Sequence, residues 1–307
     1  MSMEINIVPF SPRYEHDVAQ LDASSVQGNL VKMRMNKPWI HSRAAVFEDH
    51  HTILARVGGE TVGYMSGAKT GLTLNGVPHE VCVGFDAKVG TAYRNKGIFK
   101  ALSTHLMEYY AERGVRNVMI TTKANNKSIR SIVHKQFVRC WTHKFVYLTL
   151  PTTRKIIKQR TGSEPKFSIE YQRPGTQDPD YIRNFKGFEV YNTYKLYQLE
   201  LIEMPFILEK AVQLANWFCR KPVYPTPEKP MKIGTLFNIS DLEPEGYNRA
   251  METLCHQGVG YVNVCCTEGD FIFNTLKKKA ISRYDYYLVS TLELSPDDRI
   301  KIDVRCL

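Results

Sequence analysis

Residues 92–102 read AYRNKGIFKAL. Arg94, Lys96 and Lys100 gather around Gly97, and an apolar-periodic segment starts directly after it. That pattern suits a phosphate. The first turn of a helix leaves backbone N–H groups without partners, and the helix dipole adds partial positive charge. A phosphate accepts those N–H groups if nothing blocks its approach. Gly97 removes the obstructing Cβ and permits unusual backbone angles. R-x-x-G alone is a common pattern, so its position is what gives it weight. It lies between a strand and a helix in the most basic part of the chain. The net charge is +10, and residues 88–144 hold twelve Lys/Arg against only Glu108 and Glu112. The remainder is near neutral. Such a segment suits a polyanion (a phosphorylated cofactor, an acidic substrate or nucleic acid), with a solvated basic face as the competing reading.

The elements that must position this loop follow from periodicity. EINIVPF reads as a strand, and SPRYEHDVAQLDASS as a helix with a Ser-Pro start. TILARV and TVGYMSGAKT flank a Gly-Gly turn and form a hairpin. An Asn-Gly turn leads into a strand ending near Val89. A helix runs from about Gly97 to Arg113, with Ile98, Leu102 and Leu106 on one face and Gly114 at its stop. VRNVMITT is a strand, NNKSIRSIVHKQ a short helix and FVRCWTHKFVYLTL a long strand. The fold class is α/β, an α+β mixed sheet, with a first domain over 1–150 and a connection over 151–166. Residues 167–307 repeat the β-α-β-α-β order without a glycine-and-arginine loop. They read as a duplicated copy that has lost its phosphate loop, or as an unrelated α/β piece.

Composition sets the class. At 307 residues, 43% apolar and 23% charged, the chain is an ordinary globular protein with room for two medium domains. No apolar run approaches the ~20 residues of a membrane span. The first residues lack a basic-then-apolar secretory pattern. Seven cysteines show no CxxC pair, so reduced thiols, no metal and a cytoplasmic location are expected.

VGTAYRNKGIF (89–99) resembles the central motif of the GNAT superfamily of N-acetyltransferases, V-x-P-x-Y-R-x-x-G-x-G/A, at Val89, Tyr93, Arg94 and Gly97. Thr91 stands for the usual proline and Phe99 for a small residue. The family's next helix, Asn-x-x-Ala/Ser ending in Gly-Phe, is matched at Asn125, Ser128 and Phe137, with Gln136 replacing the glycine. Residues 1–150 carry the resemblance. The whole is similar to tandem members of the family, such as plant Hookless-type proteins and vertebrate histidine N-acetyltransferase, whose C-terminal copy is degenerate.

The resemblance implies a fold and a set of roles. The strand ending at Lys88 and Val89 splays from its neighbour and pairs with the pantetheine arm of acetyl-CoA, the co-substrate. The N–H groups of Asn95, Lys96, Gly97, Ile98 and Phe99 hold the pyrophosphate, flanked by Arg94 and Lys96. Asn125 and Ser128 line the pantetheine end. The base is a carboxylate on the strand before the loop, Asp86 or Glu80. The tyrosine that often protonates the leaving thiolate is replaced by Ile132, which leaves His134 as a nearby acid or base. KMRMNKPWIHSR (32–43) falls at the acceptor side, where Met33, Met35 and Trp39 line a pocket or pack as a helix. Its basic residues, Arg34 and Arg43 among them, suggest an acidic acceptor. The leading expectation is N-acetyl transfer to a small-molecule amine or amino acid, with no membrane or nucleic-acid partner. A non-catalytic acyl-CoA-binding protein and a protein-lysine acetyltransferase are the alternatives.

Overall fold

Five helices and fourteen strands order the described part of the chain. The computed structural model describes residues 3–26, 28, 30–74, 77–126, 140–163, 169–172, 181–218 and 230–295. In the first half, β1 (Asn6–Pro9) precedes α1 (Glu15–Ala23) and β2 (Lys32–Asn36). β3 (His50–Val57) and β4 (Glu60–Leu74) form the expected hairpin across Gly58–Gly59. β5 (Val77–Val89), α2 (Ile98–Ala111), β6 (Asn117–Lys123) and β7 (Trp141–Pro151) follow. The second half holds β8 (Ile169–Gln172), β9 (Ile182–Phe185), β10 (Phe188–Tyr191), β11 (Gln198–Glu203) and α3 (Phe206–Phe218). It ends with β12 (Ile233–Phe237), α4 (Pro244–His256), β13 (Tyr261–Cys266), α5 (Phe271–Leu276) and β14 (Ser282–Ser290).

α2 shows how sequence becomes position. Ile98, Leu102, Leu106 and Tyr110 recur every fourth residue, and all four are buried against β3, β4 and β5. Each full burial of such a side chain stabilises by roughly 2 kcal/mol. The helix sits flat because the sheet beneath it is glycine. A Cβ on Gly67 would lie 2.7 Å from Leu106. This packing fixes the N-terminus of α2 over the end of β5.

Twelve strands form one sheet in the order β1-β3-β4-β5-β6-β14-β7-β13-β12-β10-β9, with β8 beside β4. Two pairs are parallel, β5 with β6 and β12 with β13. The halves interlock at the centre. β14, from the end of the chain, pairs with β6, and β7, from the end of the first half, pairs with β13. The core follows this weave, since Phe145 and Leu288 share one cluster with Val83, Phe85 and Met119. The stretch after β7 is fixed to the second half. Thr152 donates to the Val259 carbonyl at 2.9 Å, and Asn248 makes two 2.9 Å bonds to the Ile156 backbone.

Residues 32–36 are a strand, not the helix considered for them. β2 pairs with β11 in a two-stranded ribbon, where Arg34 bonds Glu200 at 2.6 Å and Lys32 bonds Glu203 at 2.5 Å. Partners some 170 residues away decide that conformation. Cys82, Cys140, Cys255 and Cys266 are free thiols. Among the described residues, no helix is long and apolar enough to cross a membrane.

Candidate functional site

β5 and β6 run together only briefly. Val81–Gly84 pair with Asn117–Ile120, and then the strands part. β5 continues to Val89 and β6 to Lys123, each with an unpaired edge toward the other. The cause is a bulge in β5. Its register with β4 jumps from Ser66↔Phe85 to Tyr64↔Lys88, so two residues, Asp86 and Ala87, stand opposite Met65. Asp86 takes φ 53°, a left-handed conformation rare outside glycine and concentrated at functional sites. The parted strands open a cavity of about 600 Å³. Its walls are Ser24–Val26 beyond α1, Gly84–Val89 of β5, Thr91, Arg94 and Phe99 at the loop, and Ile120–Thr122 with Asn126. A cavity of that size suits a small-molecule ligand.

The loop at one end of this cavity has the expected chemistry. A short turn at Thr91–Tyr93 leads to Arg94. Asn95 (φ 62°) and Gly97 (φ 84°) are both left-handed, and α2 begins at Ile98. No side chain caps α2, so its first N–H groups face outward unclaimed by a cap. A Cβ on Gly97 would meet nothing within 4 Å, so the glycine serves backbone conformation and leaves open space. Arg94, Lys96 and Lys100 are exposed around it. Lys96 Nζ lies 5.2 Å from the Tyr93 ring centroid, and the Tyr93 hydroxyl donates to Glu60 at 2.9 Å. Ile98 is 1% exposed and gives its side chain to the core. Phe99 packs partly into the same core and also borders the cavity, so its bulk does not cover Gly97.

The opposite wall carries a buried charge network. Asp86 accepts from Arg43 Nη1 at 2.5 Å and from Lys37 Nζ at 2.8 Å. Asp22, near the end of α1, accepts from Lys88 Nζ at 2.5 Å and from the Tyr64 hydroxyl, and lies 3.6 Å from Lys37. The Lys37 and Asp86 side chains are 3% and 5% exposed, so these charges persist only because each is paired. Burial alone would raise the Asp86 carboxyl. The Arg43 and Lys37 charges outweigh it and hold the group at about 2. Burial, with the Asp86 and Asp22 charges, pushes the Tyr64 phenol well up, and burial pulls Lys88 down.

The two candidate bases lie in different surroundings. Asp86 lines the cavity with both oxygens engaged, one by Arg43 and one by Lys37, and these cations favour its charged form. Glu80 lies at the closed end of β5, 60% exposed and bonded to Lys69 at 2.7 Å, away from the cavity. His134 and Ser128 lie outside the described residues. Asn125 is exposed in the turn after β6, and its neighbour Asn126 lines the cavity instead, donating to Thr122 Oγ1 at 2.9 Å.

The basic segment 32–43 divides. Lys37 and Arg43 reach the site, while Lys32 and Arg34 hold the ribbon. Met33, Met35 and Trp39 do not line the cavity. Asp22, Lys37 and Tyr64 join the charge network beside the cavity and were not singled out in the sequence; only Lys37 lies in the basic run.

Residues 24–133, from the end of α1 through the cavity and the loop, match the family model described as Acetyltransferase (GNAT) family. No curated protein sequence matches. Among solved structures, Saccharomyces cerevisiae N-myristoyltransferase with bound myristoyl-CoA is similar at TM-score 0.58 and 10% identity, over 95% of this chain and 84% of that one. A second structure of that enzyme gives 0.55 and 11%, over 96% and 80%. The GCN5-related glucosamine N-acetyltransferase region of a fungal multi-domain GH3 β-N-acetylglucosaminidase gives 0.51 and 10%, over 94% and 38%. At these identities the likeness is one of fold, and it extends over both interlocked halves.

Proposed function

We propose, from the membership of residues 24–133 in the acetyltransferase (GNAT) family and the acyl-CoA N-acyltransferase fold of the whole chain, that this protein transfers an acyl group from acyl-CoA to the amine of a small acceptor. One observation carries the reading: the parted strands β5 and β6 open beside the uncapped, basic N-terminus of α2. The site's residues fit the co-substrate. The free edge at 85–89 suits the amide groups of a pantetheine arm. The N–H groups at 97–99 suit a pyrophosphate, with Arg94, Lys96 and Lys100 adding charge. Bound acyl-CoA supplies the activated thioester. The chain's own part is to hold it, exclude water with Phe85, Phe99 and Ile120, and place positive charge beside the cavity through Lys37, Arg43 and Lys88.

The second half reads as a degenerate copy whose strands complete the sheet of the first. The test is calorimetric titration with acetyl-CoA followed by thiol release in the presence of amines. Binding near micromolar Kd, about −8 kcal/mol, with thiol release supports the proposal. Binding without release for any amine supports the second reading, an acyl-CoA-binding protein. That reading is favoured by one fact: Asp86, the carboxylate lining the cavity among the described residues, and Asp22 behind it are both already paired.

A further inference from the structure

The transfer reading leaves one requirement without an owner. The acceptor must meet the thioester carbonyl as a free amine, and the family expectation gave its deprotonation to a carboxylate. Asp86 has Oδ1 on Arg43 and Oδ2 on Lys37, at 2.5 and 2.8 Å. Asp22 holds Lys88 at 2.5 Å, takes the Tyr64 hydroxyl, and faces Lys37 at 3.6 Å. Three cations from two segments, Lys37 and Arg43 before β3 and Lys88 on β5, surround these two carboxylates. Among the described residues, the network also meets two phenols, Tyr64 within it and Tyr197, whose ring centroid lies 5.8 Å from Arg43. Tyr147 and Tyr286, further along the sheet, also feel Arg43, and burial keeps both protonated. At the loop stands exposed Arg94, and across the cavity Thr121 and Thr122 of β6 and Asn126 after it carry no charge.

We infer that the acceptor is taken as an already neutral, weakly basic amine carrying no second positive charge, selected by Lys88 and Arg94 at the cavity and by the net positive charge of the network behind it, three cations against two carboxylates. The inference rests on the acyltransferase reading. A like charge nearby disfavours an ammonium, and partial burial disfavours it further. The chemistry then balances without a protein base. The nitrogen lone pair forms the C–N bond, and the C–S bond breaks with its electron pair left on sulfur. The single proton shed by nitrogen ends on that sulfur, directly or through water. Neutral amine and thioester become neutral amide and thiol. An alkylammonium acceptor would leave one proton over, and no described carboxylate at the cavity is open to it. The substrate class is thereby narrowed. Aromatic amines, hydrazides and α-amino groups (pKa about 7.7–8.0) fit, whereas a lysine ε-ammonium (about 10.4) and polyamines do not.

The test uses the full chain and acetyl-CoA, with thiol release measured against aniline, benzylamine and spermidine from about pH 6 to 9. The expected result is a flat kcat/KM for aniline and a rise of about tenfold per pH unit for benzylamine, following its own free-base fraction, with spermidine the poorest. Lys88→Gln removes one cation and uncovers Asp22, so the benzylamine-to-aniline ratio at neutral pH should rise about tenfold, a comparison in which any effect on acetyl-CoA cancels. A pH limb shared by aniline and benzylamine would place a protein base in the reaction and overturn the inference alone. So would spermidine outpacing aniline, or a ratio unmoved by Lys88→Gln. Acetyl-CoA that binds while no amine releases thiol would overturn the acyltransferase reading, and this inference with it.

Discussion

The two halves each contain a strand, a loop, a helix and a parallel neighbouring strand, and the two joints differ in strand overhang and in charge. In both, four residue pairs join the parallel strands. β5 then runs on from Gly84 to Val89 across a bulge, whereas β12 ends at Phe237, one residue beyond its last pair. The first joint has Arg94, Lys96 and Gly97 before an uncapped helix. The second has Asp241 and Glu243, then Pro244 as the first helical residue and Glu245 in the first turn. An acidic first turn suits the helix dipole and repels phosphate. The shared frame is thus common to both joints, and on the proposed reading the overhang, the bulge and the sign of charge at the helix start are what distinguish the first.

The largest effects should come from what the first joint has and the second lacks. Asp86→Asn leaves Lys37 and Arg43 buried beside a neutral amide, a loss of about 3–5 kcal/mol in denaturant unfolding. Glu80→Gln on the same strand is an exposed pair and should change stability by less than about 1 kcal/mol. Equal losses would mean the bulge is not held by its charges. Gly97→Glu puts bulk and negative charge at the loop and should weaken acetyl-CoA binding at least a hundredfold, about 3 kcal/mol. Its companion Gly97→Asn tolerates the left-handed backbone and should keep the fold and measurable binding. If calorimetry finds Gly97→Glu binding as tightly as the parent, the phosphate assignment fails.

What was legible in the sequence was local. The basic loop with its left-handed Gly97 lies within eight residues, α2 shows its face by fourfold spacing, and the β3–β4 turn is marked by two adjacent glycines. What was hidden was set at a distance. Asp86 stood out as a carboxylate on the right strand, but its chemistry is fixed by cations 43 and 49 positions away. β2 takes its conformation from β11, and β14 inserts beside a strand more than 150 residues earlier. No window of sequence holds both members of such pairs.

Proton linkage gives a smaller effect with a definite sign. The Asp86 carboxyl is lower in the folded chain, at about 2, than an unfolded aspartate at about 3.9. Its contribution is fully present above about pH 4 and is lost as pH falls toward 2, a loss of about 2 kcal/mol. Asp86→Asn should flatten that limb of an acid-unfolding series. An unchanged limb would place the linkage on other carboxylates.

The smallest expected change is the sharpest test of the comparison. Reversing the second loop with Asp241→Lys and Glu243→Lys gives it the charge of the first. If charge at a helix start were sufficient, a second acetyl-CoA would bind and calorimetric stoichiometry would rise toward two per chain. The geometry argues for one. β12 ends one residue past its last parallel pair, so the long edge that β5 offers from Phe85 to Val89 has no counterpart beside α4. Pro244 has also removed one of the N–H groups a phosphate would use. Binding at one site per chain, with Kd changed less than about twofold, is the expected result. A second equivalent of bound acetyl-CoA would mean that charge, not strand divergence, makes the first site.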